Sequence, residues 1–184
     1  MNIETLNIPA VKLLTLKKFG DSRGFFMETF RQDVFNAAIG ESIEFVQDNH
    51  SFSKDIYTVR GLHYQSPPHA QGKLIRCTQG SVLDIAVDAR RDSPTYGQHV
   101  KAILSAENTC QLYIPAGFLH GFATLMPNTE IQYKCTDYYA PECDGSILWN
   151  DPDIGINWGF SDAQAVLSEK DRSAPPFKAL LTSK

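Results

Sequence analysis

The stretch Gln79-Gly80-Ser81-Val82-Leu83-Asp84-Ile85-Ala86-Val87-Asp88 decides the fold. After the Gln79-Gly80 turn, Leu83, Ile85 and Val87 fall on one side of an extended chain, and Asp84 and Asp88 fall on the other. That period of two predicts a half-buried strand over 81–88 with Leu83, Ile85 and Val87 as its core face. Residues 129–137 repeat the period, with Ile131, Tyr133 and Cys135 on one face and Glu130, Gln132 and Lys134 on the other. Helical spacing is clear over 30–39, where Phe30, Val34, Phe35 and Ala38 recur before Gly40 supplies a stop. A second short helix is expected over 162–168, after which Ser173-Ala-Pro-Pro176 enforces irregular structure. About ten short strands without a β-α-β rhythm make the chain mainly β, and a jelly roll with a flanking helix is the expected antiparallel closure.

With 184 residues, the chain fits one domain, or one domain with a short extension. A formal net charge of -4 argues against broad attraction to nucleic acid or to an anionic membrane surface. An anionic small molecule needs only a few converging cations, and Arg23, Arg60, Lys73 and Lys170 lie in polar or loop-like stretches. Residues 1–19 carry Glu4, Lys12, Lys17 and Lys18 and lack the apolar block of a signal peptide or membrane span. Cys77, Cys110, Cys135 and Cys143 stand far apart without a CxxC pair, a usage suited to a reducing cytoplasm.

Inward-facing polar residues of a small barrel are the place to look for chemistry. In Val59-Arg-Gly-Leu-His63, alternation puts Val59, Gly61, His63 and Gln65 on one side. His63 is by type either a hydrogen-bonded core histidine or an acid–base group. Tyr133 is likewise either a packed phenol or, with a reference pKa of about 10, a proton donor to a carbanion. Ile114-Pro-Ala-Gly-Phe-Leu-His120 resembles the second motif of the cupin superfamily. Where metal-binding cupins carry a His-x-His pair and a later glutamate, this chain reads His63-Tyr64-Gln65 and then Lys73. An ammonium in place of a ligand carboxylate opposes a cation and suits a developing anion. No metal is therefore expected, and His120 is left as a structural or a substrate-contacting histidine.

Taken together, several stretches in unbroken order resemble the dTDP-4-dehydrorhamnose 3,5-epimerase family. They are Phe19-Gly-Asp-Ser-Arg-Gly-Phe-Phe26, Val46-Gln-Asp-Asn-His50, Val59-Arg-Gly-Leu-His-Tyr64, Gln71-Gly-Lys-Leu-Ile-Arg76, Ser93-Pro-Thr-Tyr-Gly97, Tyr113-Ile-Pro-Ala-Gly117, Gly145-Ser-Ile-Leu-Trp-Asn150 and Leu167-Ser-Glu-Lys-Asp171. The resemblance implies a cupin-type jelly roll (double-stranded β-helix) with a few short flanking helices. It implies a single epimerase domain over 1–184 with N-terminal strands and a C-terminal helical and irregular extension. It further implies a homodimer and a dTDP-4-keto-6-deoxyhexose substrate on the route to dTDP-L-rhamnose, and no cofactor is expected; the cysteine usage places the chain in the cytoplasm.

By the same resemblance, His63 removes the proton, Asp171 orients its imidazole, Lys73 lies near the keto oxygen and Tyr133 returns a proton. C3 and C5 both flank the C4 ketone, so either deprotonation yields an enolate with its charge largely on that oxygen. A carboxylate on the other histidine nitrogen fixes the tautomer and stabilises the imidazolium. Inversion requires an acid across the sugar from the base. Matching positions imply that Arg23, Phe26, Glu28, Gln47, Asn49, Arg60, His120, Asp144 and Lys170 bind substrate and that Tyr139 stacks on thymine. Without the resemblance, ordinary surface ion pairs and a surface aromatic account for these arginines and for Tyr139. Asp144 departs from the glutamate expected there, which shortens that side chain's reach. Alternative readings are a 3- or 5-monoepimerase of a related sugar, a metal-dependent cupin enzyme, and a noncatalytic sugar-nucleotide-binding cupin.

Overall fold

The structure, a computed structural model, describes residues 2–181; Met1 and residues 182–184 lie outside it. Its main body is two facing antiparallel sheets. The first contains, in spatial order, β1 (Asn2–Thr5), β2 (Lys12–Thr15), β10 (Cys110–Ile114), β7 (Lys73–Gln79), β12 (Thr129–Cys135) and β5 (Gln47–Ser53). The second contains β13 (Asp144–Ser146), β6 (Val59–Gln65), β11 (Phe118–Thr124), β8 (Ser81–Asp88) and β9 (His99–Ser105). From β5 to β8, and again from β9 to β12, the chain changes sheet at every connection, which is the winding of a cupin-like jelly roll. The small strands β3 (Phe19–Asp21) and β4 (Gly24–Phe26) form a separate hairpin with exposed Phe19, Phe25 and Phe26.

Between the sheets, Ile75, Cys77, Val82, Ala86, Leu104, Leu112, Ile114, Phe122 and Ile131 make the central core. Tyr133 packs against it from the face shared with Ile131 and Cys135, as the alternation predicts. Helix α1 (Gln32–Ile39) covers the outer face of the first sheet, where Phe35 meets Leu14, Leu74 and Tyr113. Gly40 closes it in the left-handed conformation at φ 83°. The helix begins later than its apolar spacing predicts because Arg31 is extended at φ -147°, so Phe30 packs on Phe35 and Phe45 from outside the helix.

A second apolar layer corrects the reading of β8. Residues 147–180 bring Ile147, Trp149, Trp158, Phe177 and Leu180 over the outer face of the second sheet. They bury Ile85 and Val87 from outside, with Leu83 partly covered beside them. Val82, Asp84 and Ala86 point the other way, and Val82 and Ala86 join the central core. Asp84 and Asp88 are therefore fully buried rather than solvated. Strand periodicity distinguishes two faces but does not reveal that a later segment covers one of them.

The helix expected over 162–168 is also corrected. Only a 3₁₀ turn, Asp162–Gln164, forms there, closed by a capping box of Ser161 and Gln164. Val166 then donates to Tyr57 O and accepts from Val59 N, both at 2.9 Å, which holds it extended beside β6. Helix α2 (Glu169–Arg172) starts only after this, with Ser168 as its cap. No helix among the described residues is long and apolar enough to cross a membrane.

Candidate functional site

The site begins with an irregularity in β6. Its register with β11 runs His120↔His63 and then Phe122↔Arg60, so Gly61 and Leu62 together oppose Gly121. Gly61 lies at φ 132°, and a Cβ there would sit 2.5 Å from the Gly121 Cα. The extra residue reverses the alternation: Arg60 and His63 both line the cleft, and Leu62 sinks into the outer apolar cluster, which Val59 also joins from the cleft's edge. The shared face expected for Val59, Gly61, His63 and Gln65 does not survive this bulge.

His63 Nε2 lies 2.6 Å from Asp171 Oδ1. The carboxylate is held in turn, since Ser168 Oγ donates to Asp171 Oδ2 at 2.8 Å and accepts from Asp171 N at 3.1 Å. Burial raises the Asp171 pKa, but the hydrogen bond and charge of His63 and the Ser168 hydroxyl outweigh it and leave the carboxyl below its ordinary value. A carboxylate only accepts, so Nε2 carries the proton, and Nδ1, which bonds to no described residue, is the basic nitrogen.

Across the cavity, the first sheet contributes Lys73 from β7 and Tyr133 from β12. Lys73 pairs in register with Cys135, so its side chain points inward with Ile75 and Cys77. Desolvation pulls the Lys73 ammonium below its usual pKa, while Cys135, Asp84 and Asp144 oppose the fall. Desolvation pushes the Tyr133 phenol up, so it remains a protonated donor at neutral pH. His120, from the second sheet, is 7% exposed and points Nε2 at both oxygens of Asp84, 3.0 and 3.1 Å away.

These groups line a cleft of ≈ 460 Å³ that includes Arg60, His63, Lys73, His120, Tyr133, Lys170 and Asp171. A neighbouring hollow of ≈ 370 Å³ shares His63, Lys73, Tyr133 and Lys170 and adds Gln47, Asn49, Tyr139 and Asp144. Gln47 Oε1 accepts from Tyr139 N at 2.9 Å, and Gln47 Nε2 donates to Asn49 Oδ1 at 3.1 Å. Lys170 is paired with Asp144. Arg60 is fixed by Ser53 Oγ and Phe52 O. Three of the four cations singled out in the sequence, Arg60, Lys73 and Lys170, thus converge on one hollow.

Gln65 is not free to be a ligand. Its amide donates to His69 O and Tyr138 O and accepts from Ala140 N, which ties down the loop carrying Tyr139. Among the described residues, no three His, Cys, Asp or Glu side chains are grouped as metal ligands.

Arg23, Phe26 and Glu28 are not brought to this cleft by the chain that carries them. Arg23 pairs with Asp21 at the hairpin tip, Glu28 pairs with Arg31, and Phe26 lines a different cavity with Met27, Arg76 and Gln111. The β3–β4 hairpin pairs with neither sheet.

Two participants escaped the sequence reading. Ser168 was detectable, because Ser-x-x-Asp at 168–171 has the spacing of a capping pair. Asp84 falls on the face that alternation assigns away from the core, and it is fully buried.

A family model described as dTDP-4-dehydrorhamnose 3,5-epimerase matches residues 5–179. The Salmonella typhimurium dTDP-4-dehydrorhamnose 3,5-epimerase is 55% identical over 176 residues, 95% of each chain. The crystal structure of a Legionella pneumophila 3,5-epimerase in complex with dTDP-4-keto-L-rhamnose superposes with a TM-score of 0.92 at 45% identity, covering 96% of this chain and 93% of that one. A 3'-monoepimerase from Streptomyces bikiniensis in complex with dTDP-quinovose superposes at 0.87 with 32% identity, covering 96% and 89%. A match over nearly the whole chain, joined to a histidine–aspartate pair facing a lysine and a tyrosine, means that this chain belongs to the dTDP-4-dehydrorhamnose 3,5-epimerase family.

Proposed function

We propose that the cleft converts dTDP-4-dehydro-6-deoxy-D-glucose to dTDP-4-dehydro-L-rhamnose by inverting C3 and C5, with the whole chain as one epimerase unit. The observation that carries this is that His63 and Tyr133 come from opposite sheets and line the same cleft. A pyranose between the sheets has the base on one face and the acid on the other.

His63 Nδ1 takes the C3 or C5 proton, and the electron pair moves to the C4 oxygen. Asp171, already bonded to Nε2, stabilises the imidazolium that forms. Lys73 receives the oxyanion, an interaction worth roughly a few kcal/mol for a well-aimed donor. Tyr133 gives its proton to the opposite face of the carbon. Solvent in the cleft then takes the proton from His63 and restores the one on Tyr133, so the step balances.

Arg60 and Lys170 suit the diphosphate, with Gln47, Asn49 and Tyr139 toward thymidine. Asp144 reaches the cleft, and its pairing with Lys170 keeps that carboxylate there despite its shorter side chain. Arg23, Phe26 and Glu28 complete the nucleotide site from a second copy of the chain, since their hairpin projects with three exposed phenylalanines. Four free cysteines are in keeping with work in the cytoplasm.

Incubation with substrate in D₂O tests the reading. Deuterium at both C3 and C5, followed by NMR and mass spectrometry, is the expected result. Incorporation at one carbon makes the chain a monoepimerase, and none at either carbon makes it a binding protein.

A further inference from the structure

Asp84 is a charged residue with no exposure, on the interior face of β8 between Val82 and Ala86. Packing gives no reason for it, because a carboxylate in such a place is costly unless it is paired. Its partner is His120 Nε2, equidistant from its two oxygens. The remaining nitrogen, Nδ1, bonds to no described residue and is not among the sealed, partnerless side-chain atoms. It therefore has access to the cleft that His120 lines.

His120 is also the register partner of His63 on the neighbouring strand. The cleft thus holds two histidines side by side, each with Nε2 tied to a buried aspartate. Asp171 serves the base. We propose that Asp84 is a positioning residue that holds His120 as an imidazolium with Nδ1–H facing the C4 oxygen, so that His120 and Lys73 receive the enolate together.

The groups facing this pair are His63 from β6, Lys73 from β7, Tyr133 from β12 and Arg60 at the β6 bulge on the cleft side, and Cys77 from β7 beside Asp84. Lys73 feels Asp84 as one of the charges that oppose its desolvation, so the carboxylate supports both oxyanion donors. Asp84 has no exposure and hydrogen-bonds to His120 through both oxygens, so a cationic ring directly compensates a charge that water cannot reach.

This inference rests on the epimerase reading, and its test separates the two. Wild type, Asp84→Asn, His120→Gln and the double variant are compared for kcat, KM and hydrogen exchange at C3 and C5 in D₂O. Asp84→Asn is expected to lower kcat 10- to 100-fold with KM within threefold, and to add nothing once His120→Gln is present. Effects that multiply in the double variant, or an Asp84→Asn kcat within twofold of wild type, overturn the proposal. Wild-type protein without exchange overturns the epimerase reading instead.

Should Asp84→Asn fail to fold, ¹⁵N NMR of histidine-labelled wild type decides. Protons on both His120 nitrogens support the arrangement, and a ring that is bare at either nitrogen refutes it.

Discussion

Replacing Asp171 with Asn isolates what its charge does. The substitution keeps the volume of a side chain that is 5% exposed. Asn can still present its oxygen to His63 and turn its amide toward Ser168, whose hydroxyl is able to accept. What disappears is the negative charge 2.6 Å from the imidazole that, as the proposed base, becomes cationic during turnover. Unit charges 4 Å apart at an effective dielectric of about 20 attract by about 4 kcal/mol. The His63 side chain is 31% exposed, and water screens part of that attraction. A loss of about 2–4 kcal/mol of transition-state stabilisation remains, which lowers kcat roughly 30- to 1000-fold. Deuterium exchange at C3 and C5 should slow by the same factor as net turnover, because proton removal is the step affected. Exchange within about threefold of wild type, in a variant that melts normally, would refute the assignment of Asp171 to the base.

Tyr133→Phe keeps the ring packed on the central core and removes only the hydroxyl, so the melting temperature should barely move. Exchange at C3 and C5 should persist while net inversion falls at least about 100-fold, the scale of general-acid catalysis, as read by NMR of the product sugar. Gly61→Ala should cost about 3 kcal/mol or more in thermal unfolding and abolish turnover, since the new methyl meets the β11 backbone at a φ reserved for glycine. Asp88 is buried, and although burial raises its pKa, hydrogen bonds from Arg90, Ser93 and Thr95 hold the carboxyl well below its ordinary range. A depressed folded-state pKa gives stability that is complete above the unfolded value near 4 and is lost as pH falls through the folded value. Asp88→Asn should therefore destabilise by about 3 kcal/mol at pH 7 and by clearly less at pH 2, measured by denaturant melts.

Strand character was legible wherever period two ran unbroken, as in β12, whose inward face of Ile131, Tyr133 and Cys135 is as read. The Gly40 stop was equally plain, because only one conformation closes that helix cheaply. His63, Lys73, Tyr133, Asp171 and most of the residues that the resemblance assigns to the nucleotide do meet in space, but those roles come from the resemblance to a family. No local pattern joins His63 to a residue 108 positions away. The β6 bulge escaped because Gly61 is read as one residue of a strand until its partner register is known. Asp84 escaped because a fold with covering layers on both outer faces leaves alternation no solvent side to find. Arg23, Phe26 and Glu28 stand out only by position along the chain, and one chain's geometry leaves them at its periphery.

The segment that packs Trp149 and Trp158 over the second sheet is the same one that delivers Asp171 to His63. Those two are the chain's entire complement of tryptophan. Intrinsic fluorescence is accordingly a built-in optical gauge of an assembled His63–Asp171 pair, because the indoles leave water as the C-terminal layer seats. During refolding, the emission shift and the return of turnover should keep the same clock.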